Sequence, residues 1–370
     1  MEHERRKIRY AVIGLGNIAQ VAILPAFASA AESSELVALV SGSREKLEVL
    51  GERYGVAERG GYAELEAVLK RARVDAVFIA LPNSLHREFT ERAARAGAHV
   101  LCEKPLAMTE EDCTAMIEAT RLAGVKLMTA YRLHFEEANL TAIDIVRSGK
   151  LGQVRAFTSS FSHTVPPGDI RTRRELGGGA LFDLGCYCIN AARHLFREEP
   201  LEVVGASQQL GEGPAQGVDE STTATLRFPS GGVATFTVSQ GLATVASYRI
   251  TGTRGDLRVE QAYFYAGPIR HHLAIDGKTQ EQTFEDRDQF AAQLVYFSRC
   301  IQEDTEPEPS GVEGLADVRV MQAIQRSAAS GKAEALPPFA RDRRPDLSLQ
   351  IHRPRLGSPT PVHAASRDKG

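Results

Sequence analysis

The sequence predicts an α/β protein of two domains: a doubly wound parallel sheet, followed by an α+β domain with a largely antiparallel open sheet. The first third of the chain alternates short apolar runs with longer helical patterns, which is typical of a parallel sheet. After about residue 150, strand patterns follow one another between Gly and Pro turns. A length of 370 residues fits two domains of ordinary size and a tail.

The first predicted domain, residues 1–130, contains five strands and five helices. The strands are Ile8–Ile13, Leu36–Ser41, Ala76–Leu81, His99–Cys102 and Lys126–Ala130. The helices are Ile18–Ala31, Arg44–Tyr54, Tyr62–Lys70, His86–Ala96 and Glu110–Ala123. Because parallel strands need crossover connections, which are right-handed, this alternation predicts one continuous βαβ sheet.

The second predicted domain, residues 131–335, is expected to supply the substrate pocket and the subunit contacts. Its predicted strands are Gln153–Ser162, Leu201–Gln209, Ser221–Phe228, Val233–Ser239, Tyr248–Thr253 and Asp256–Glu260. Its predicted helices are Leu181–Leu195, Phe290–Gln302 and Gly314–Ser330. Residues 336–370 are rich in Pro, Arg and Ser, so their composition predicts a disordered tail.

The composition argues against several classes of function. A formal net charge of -3 gives no electrostatic footprint for nucleic acid. We find no apolar stretch long enough for a membrane span and no export signal before the first strand, so we expect a cytoplasmic protein. Five cysteines without zinc-like spacing are expected to be buried free thiols, and no metal is predicted.

A glycine fingerprint directly after the first strand predicts a dinucleotide site. Gly14, Gly16 and Ala19 form a Gly-x-Gly-x-x-Ala pattern that also contains Asn17 and Ile18. The first glycine makes a tight turn, the second lets the backbone approach a pyrophosphate, and the small third residue allows close packing of helix on strand. The sequence therefore predicts a Rossmann domain.

The end of the second strand favours NADP over NAD. An NAD enzyme usually carries an acid there for the ribose hydroxyls, and that charge repels a 2′-phosphate. Here the strand ends at Ser41 and continues through Gly42, Ser43, Arg44 and Lys46, with its first acid inside the next helix. The hydroxyl, guanidinium and ammonium groups can donate to a phosphate. NAD is the less favoured alternative.

A lysine follows the fourth predicted strand, where open parallel sheets bind their ligands. The segment is Cys102-Glu103-Lys104-Pro105, and the bond before Pro105 is a candidate cis peptide. Lys104 can donate to a substrate hydroxyl and, if its surroundings lower its pKa, assist proton transfer.

Several motifs in order resemble the glucose–fructose oxidoreductase/inositol dehydrogenase (Gfo/Idh/MocA) superfamily, and its glucose–fructose oxidoreductase branch in particular. Glu103-Lys104-Pro105 behind a Gly-x-Gly-x-x-Ala domain carries the resemblance, which covers about residues 8–335. The other matching segments are Leu81–His86, Ala130–Phe135, Arg173–Leu176 and Gly177–Tyr187.

The resemblance implies that Lys104, Asp183 and Tyr187 form the catalytic group of an NADP-dependent sugar oxidoreductase, with the tyrosine as acid/base. Asp183 and Tyr187 are four residues apart, which places them on one helix face. The residues that it implies along the cofactor are Leu81, Pro82, Asn83, His86, Glu103, Lys104, Arg132 and Arg171. A homodimer or homotetramer formed through the C-terminal sheet is also implied.

The substrate stays open at this point. The resemblance is compatible with aldose oxidation, with reduction of a sugar carbonyl, with inositol or dihydrodiol dehydrogenases, and with a non-catalytic NADP-binding regulator. A regulator would have no need of both Lys104 and Tyr187, which favours an enzyme. The sequence shows neither the export signal nor the arm of periplasmic glucose–fructose oxidoreductases, so a retained and a freely exchanging cofactor are equally compatible with it.

Overall fold

Six parallel strands form the N-terminal sheet of the computed structural model, which describes residues 6–166, 168–209, 217–357 and 359–364. The strands are β1 (Ile8–Ile13), β2 (Ser34–Val40), β3 (Glu58–Gly60), β4 (Ala76–Ile79), β5 (His99–Cys102) and β6 (Leu127–Thr129). Their order is β3-β2-β1-β4-β5-β6, which confirms the predicted doubly wound sheet. The sequence analysis missed β3, because its three residues contain no apolar run.

Helices bury both faces of this sheet. They are α1 (Leu24–Ser29), which continues a π-helical turn at Ala19–Ile23, α2 (Arg44–Tyr54), α3 (Leu65–Arg71), α4 (His86–Arg95) and α5 (Glu110–Leu122). Alternate residues of β1 belong to different hydrophobic clusters. Ala11 and Ile13 pack into the cluster on one face of the sheet, and Tyr10 and Val12 pack into the cluster on the other face. Burial on both sides explains why the central strands are nearly continuous apolar runs.

The second domain is built on a nine-stranded sheet. Its strands are β7 (Val154–Ser162), β8 (Glu202–Gln209), β9 (Asp219–Arg227), β10 (Val233–Ser239), β11 (Val245–Gly252), β12 (Gly255–Glu260), β13 (Ile269–Ile275), β14 (Lys278–Phe284) and β15 (Glu334–Ala335). The order is β14-β13-β12-β11-β7-β10-β9-β8-β15, and every pair except β7–β10 is antiparallel. The predicted, largely antiparallel sheet is confirmed. The hairpin β13–β14 was not predicted, since β14 is almost entirely polar and exposed.

Four helices follow the parallel sheet in the described residues. They are α6 (Glu137–Arg147), α7 (Cys186–Phe196), which continues a π-helical turn at Leu181–Gly185, α8 (Gln289–Gln302) and α9 (Gly311–Ser330). Of these, α6, α7 and α9 pack against the nine-stranded sheet, whereas α8 packs against α1 and the N-terminal sheet. In β10, Ala234, Phe236 and Val238 are buried, whereas Thr235 and Thr237 point to the opposite face and are half-buried. None of the helices in the described ranges is long and apolar enough to cross a membrane.

A buried ion cluster joins α7 to α9. Arg193, which is fully buried, donates to Glu313 at 2.7 Å and pairs with Glu199 at 2.6 Å. His134, His194 and Glu313 place their ligand atoms within 4.8 Å of one another, a spacing that could hold a metal ion. Because two guanidinium groups, those of Arg193 and Arg341, also contact Glu313, we assign the group to the ion cluster.

The C-terminal tail differs from the disordered extension that its composition predicts. Its described residues, 337–357 and 359–364, make specific contacts with both domains. Arg341 pairs with Glu313, and Arg344 pairs with Glu199 at 3.0 Å. Farther along, the backbone carbonyl of Pro354 accepts a hydrogen bond from Ser29 at 2.8 Å. The tail therefore runs from the second domain to the first.

Candidate active site

A cleft of about 560 Å³ lies where the carboxyl ends of the parallel strands meet the second domain. Its volume is in the range of small-molecule sites. Among the predicted site residues, those that line it are Gly14, Gly16, Asn17, Ile18, Ser41, Gly42, Ser43, Lys46, Leu81, Pro82, Asn83, Glu103, Lys104, Arg132, Arg171, Asp183 and Tyr187. The fold thus gathers into one cavity residues that are far apart in the sequence.

The glycine loop at one end of the cleft has the shape that a dinucleotide requires. Gly14 has a φ of 96°, and a Cβ there would lie 2.4 Å from the carbonyl oxygen of Ala80. At Gly16 a Cβ would meet nothing within 4 Å, because that position faces the open cleft. The turn therefore needs glycine at residue 14, while residue 16 leaves room for a pyrophosphate at the start of the helix.

The residues after β2 divide into two groups. Ser41, Ser43 and Lys46 line the cleft. Arg44, which the sequence assigns to the cofactor, does not: its side chain is 92% exposed and pairs with Glu48 at 2.9 Å. The reason is helical geometry, since Ser43 is the N-cap of α2 and Arg44, the first helical residue, leaves on the outer side.

His86 is also absent from the cleft wall, although the resemblance implies a cofactor contact. The side chain is fully buried, with Nδ1 3.0 Å from the carbonyl oxygen of Pro105 and Nε2 3.0 Å from that of Leu81. Burial lowers the pKa of this imidazole. In this position His86 joins the loops after β4 and β5, both of which line the cleft.

Lys104, Asp183 and Tyr187 lie together at the other end of the cleft, as the resemblance implies. Lys104 Nζ donates to the carbonyl oxygen of Asp183 at 2.7 Å and lies 3.4 Å from its Oδ1. The same ammonium lies 4.7 Å from the centroid of the Tyr187 ring. The Lys104–Pro105 peptide is cis, as the sequence suggested.

The pKa of Lys104 differs from the lowered pKa that the sequence interpretation considers for proton transfer. Burial alone lowers the pKa of the ammonium, but electrostatic interaction with the acidic groups around it, which include Asp183 and Glu103, outweighs burial and raises the pKa. The expected lowering of this pKa is therefore not what the structure indicates. Lys104 remains a cation, suited to stabilise negative charge and to donate hydrogen bonds rather than to accept a proton.

A second cation contacts the tyrosine hydroxyl. Arg132 Nη2 donates to Tyr187 Oη at 3.2 Å and to the carbonyl oxygen of Tyr263 at 2.5 Å. Its Nη1 donates to Gln289 Oε1, at the start of α8. The resemblance implies that Arg132 lies along the cofactor, and the structure places it in the cleft with its guanidinium directed to the hydroxyl of Tyr187.

Three chain segments converge on Asp183. Arg171 Nε lies 3.1 Å from Asp183 Oδ2, and Gln240 Nε2 lies 3.5 Å from the same oxygen. Lys104 approaches the other carboxylate oxygen. A carboxylate held between two cations can fix the position of Lys104.

Comparison with known proteins identifies the family. Residues 8–131 match the model described as an oxidoreductase family with an NAD-binding Rossmann fold, and residues 139–258 match the GFO/IDH/MocA C-terminal domain. The chain belongs to the GFO/IDH/MocA family. The match confirms the family that the motifs suggest and shows that the protein is an NAD(P)-dependent oxidoreductase.

Relatives within the GFO/IDH/MocA family act on sugars. A D-xylose 1-dehydrogenase (NADP(+)) of Haloferax volcanii is 31% identical over 88% of this chain and 99% of its own. A dTDP-3,4-didehydro-2,6-dideoxy-alpha-D-glucose 3-reductase of Streptomyces violaceoruber is 38% identical over 80% of this chain and 86% of its own. An aldose-aldose oxidoreductase from Caulobacter crescentus has a similar structure, with a TM-score of 0.85, 41% identity, and coverage of 90% of this chain and 100% of its own.

One residue of this site was missed by the sequence analysis because its role depends on distant chain segments. Asp219, on β9, accepts hydrogen bonds from the backbone N–H of Leu181 at 2.8 Å and from Thr222 at 2.6 Å. It thereby caps the turn that carries Asp183. A Cβ on Gly179 would lie 2.2 Å from Asp219, and the φ of 122° there also requires glycine. The run Gly177–Gly179 is visible in the sequence, but the sequence does not show that Asp219 packs against it.

Glu103 gives the candidate active site a pH-dependent stability. Burial raises the pKa of its carboxyl from 4.5 to about 7, and the attraction of Lys104 offsets this only in part. Between these two values the folded protein binds more protons than the unfolded chain, so stability falls as the pH rises.

We therefore predict that Glu103→Gln removes this pH dependence. From about pH 4.5 to about pH 7, the free energy of unfolding of the parent should fall relative to that of the variant, by at most ~1.4 kcal/mol per pH unit. Above that range the difference should stay constant. Urea unfolding without cofactor measures it, with the exposed Glu52→Gln as control. Parallel curves for parent and Glu103→Gln would contradict the prediction.

Proposed function

We propose that the protein transfers hydride between NADP(H) and a ring carbon of a sugar, with Tyr187 as the acid/base. In the oxidative direction a sugar hydroxyl gives its proton to the Tyr187 oxygen while the hydride leaves the same carbon. The product is a lactone or a keto-sugar. The observation that carries the proposal is the contact of two cations, Lys104 and Arg132, with the tyrosine that lines the cleft.

These two cations explain why a tyrosine can serve as a base here. To accept a proton, the Tyr187 oxygen must first carry a negative charge. The guanidinium of Arg132 stabilises that charge at hydrogen-bond distance, and the ammonium of Lys104 adds to the stabilisation from the ring face. Asp183 holds Lys104 in place, so the three predicted catalytic residues act as one unit.

The lining of the cleft suits a sugar next to a dinucleotide. Near Tyr187 the wall contains the aromatic rings of Phe161, Tyr263, Phe264 and Tyr265. Such rings cover the C–H faces of a sugar, while Lys104 and its neighbours bind the hydroxyl groups. NADP, when bound, supplies the hydride acceptor, and the open approach at Gly16 fits its pyrophosphate.

The choice of NADP rests on the phosphate donors after β2 and on the relatives. The Haloferax volcanii relative is named as an NADP(+) enzyme, and a 3-ketoreductase from Actinomadura kijaniata, 30% identical with a TM-score of 0.80, was solved with NADP. In this chain Ser41, Ser43 and Lys46 surround the place where a 2′-phosphate would lie.

We also propose a homo-oligomer formed through the outer face of the nine-stranded sheet. That face carries a shallow depression lined by Thr158, Thr223, Thr235, Thr237 and Arg258. Short hydroxyl side chains leave it flat enough for two copies to pack around a two-fold axis.

If two copies pack through this face, a substitution that introduces a large charged side chain there should lower the mass of the protein in solution. Thr237→Arg should reduce the mass measured by light scattering to that of one chain, 40.2 kDa, because the inserted guanidinium prevents close contact of the sheets. Thr114→Arg, at an exposed position of α5, is the matched control and should keep the parent mass. An unchanged mass for Thr237→Arg would contradict this interface.

The catalytic proposal predicts that Tyr187→Phe loses turnover and keeps the cofactor. We expect turnover to fall by about 10²–10⁴-fold, the usual contribution of an acid/base group, with NADP affinity nearly unchanged. The assay is nicotinamide absorbance with a panel of aldoses, polyols and keto-sugars, and the control is Tyr54→Phe, at a half-buried position on α2 that does not line the cleft. Equal rates for parent and Tyr187→Phe would remove the tyrosine from the mechanism. Saturable NADP binding without turnover on any sugar would indicate a regulator.

For the cofactor, Lys46→Ala should weaken NADP binding more than NAD binding, by about tenfold in the ratio of the two affinities, since a single charge-assisted contact is lost. Arg44→Ala is a sharp control, because this neighbouring cation points away from the cleft and should leave the ratio unchanged. Titration by intrinsic or nicotinamide fluorescence gives both constants. If Lys46→Ala weakens the binding of NADP and NAD by the same factor, Lys46 does not contact the 2′-phosphate.

A further inference from the structure

The last described residues of the tail lie beside the dinucleotide half of the cleft. Residues 359–364, which we call the strap, lie against the N-terminal domain, and His363 and Ala364 form part of the cleft wall. On the same stretch of wall are Gly16 and Lys46. The cleft keeps its volume of about 560 Å³ with the strap in place. The strap is therefore a wall of the site and not a plug within it.

A buried glutamine holds the strap to the glycine loop. Gln20, in the first turn of the helix after the fingerprint, accepts from the backbone N–H of Val362 at 2.6 Å and donates to its carbonyl oxygen at 3.0 Å. The same Nε2 donates to the carbonyl oxygen of Leu15, between the two fingerprint glycines, at 2.9 Å. Because a buried amide is costly without partners, this side chain is matched to the strap.

The strap also changes the charge at the end of β2. Glu45 is the acidic residue in the first turn of α2, beside the proposed phosphate donors. His363 Nε2 donates to Glu45 Oε1 at 2.7 Å. This contact occupies a carboxylate whose charge would repel a 2′-phosphate. Arg53, farther along α2, donates to the carbonyl oxygen of Thr360 at 3.1 Å, which ties the strap to the same helix.

The preceding residues carry the chain to this position by contacts with both domains. The backbone N–H of Ile351 donates to Phe135 at 3.3 Å, and the carbonyl oxygen of Arg353 accepts from the N–H of Asp288 at 2.9 Å. Ser29 on α1 then holds Pro354. The described residues that precede the strap are thus held by contacts with both domains.

We propose that the strap completes the NADP site: it covers the adenosine side of the cofactor, and His363 acts as a specificity-determining residue by pairing with Glu45. The identity of the ligand rests on the function proposed above. The consequence is kinetic, because a cofactor under the strap leaves only when residues 359–364 lift from Gln20. The protein should release NADP(H) slowly and prefer it to NAD(H).

The test compares the full chain with a chain that ends at Gly357 and so keeps the preceding tail contacts. Each is loaded with NADPH, mixed with excess NADP, and followed by the loss of nicotinamide fluorescence. We expect the shortened chain to release NADPH at least about tenfold faster, since lost contacts act mainly on the dissociation rate. Thermal melting checks that both chains are folded.

Two point variants keep the test decisive even if the shortened chain is unstable. Gln20→Met keeps the length of the side chain and removes both hydrogen bonds to Val362, so it should also speed NADPH release. His363→Ala should speed the release of NADPH more than that of NADH, because Glu45 becomes unpaired. His352→Ala is the matched control, since this tail histidine pairs with Glu137 away from the cleft and should leave both rates unchanged.

The outcomes separate the strap from the proposed function. If the full chain binds NADPH but the shortened chain and Gln20→Met release it at the parent rate, the strap has no part in retention and the proposal is overturned. Equal effects of His363→Ala on NADPH and NADH would overturn the specificity role. If the full chain binds no NADPH at all, the proposed cofactor itself fails, and the strap proposal fails with it.

Discussion

The contact between Lys104 and Asp183 is the interaction on which the rest of the site depends. Lys104 follows β5 of the parallel sheet, and Asp183 lies on the turn before α7 in the second domain. The ammonium donates to the carbonyl oxygen of Asp183 and faces its carboxylate, so one side chain joins the two domains at the reacting end of the cleft. Breaking a pair of this kind leaves a half-buried charge uncompensated, which costs more than the pair itself contributes.

The charges around this contact explain how one site serves both a cofactor and a sugar. Two guanidinium groups, those of Arg132 and Arg171, add to the charge of Lys104, while Asp183 is the carboxylate between Lys104 and Arg171. Asp169, which also lines the cleft, pairs with Arg171 at 3.0 Å, and burial raises the pKa of Glu103 to about 7, so that this carboxyl is about half protonated at neutral pH. In the proposed reaction these three cations favour an anionic dinucleotide and stabilise the deprotonated Tyr187 oxygen during proton transfer.

The sequence could predict those parts of the fold and site that depend on local patterns. The glycine turn at Gly14 and the lysine at the end of a strand are recognisable because parallel strands bring their carboxyl ends to one edge. The pattern does not show on which side of α2 a residue leaves the N-cap, so it could not separate Arg44, which points away from the cleft, from Lys46, which lines it. Asp219 and Gln289 were not predicted, since each reaches the site from a distant element through tertiary packing alone. The strand β14 was also not predicted. It lies at the edge of the sheet with almost all of its side chains exposed, and such a strand needs no apolar run.

The tail shows why composition alone was misleading. A segment poor in apolar residues is expected to stay disordered because it cannot bury enough surface to offset its loss of entropy. Here the compensation comes from charges that already lie inside the protein. The buried cluster of α7 and α9 contains the carboxylates of Glu199, Glu313 and Asp317, against the single guanidinium of Arg193. Arg341 and Arg344 of the tail supply two further positive charges to it. Since an uncompensated buried charge is strongly destabilising, these two arginines give the tail a favourable place on the core, and its residues 359–364 lie beside the cofactor cleft.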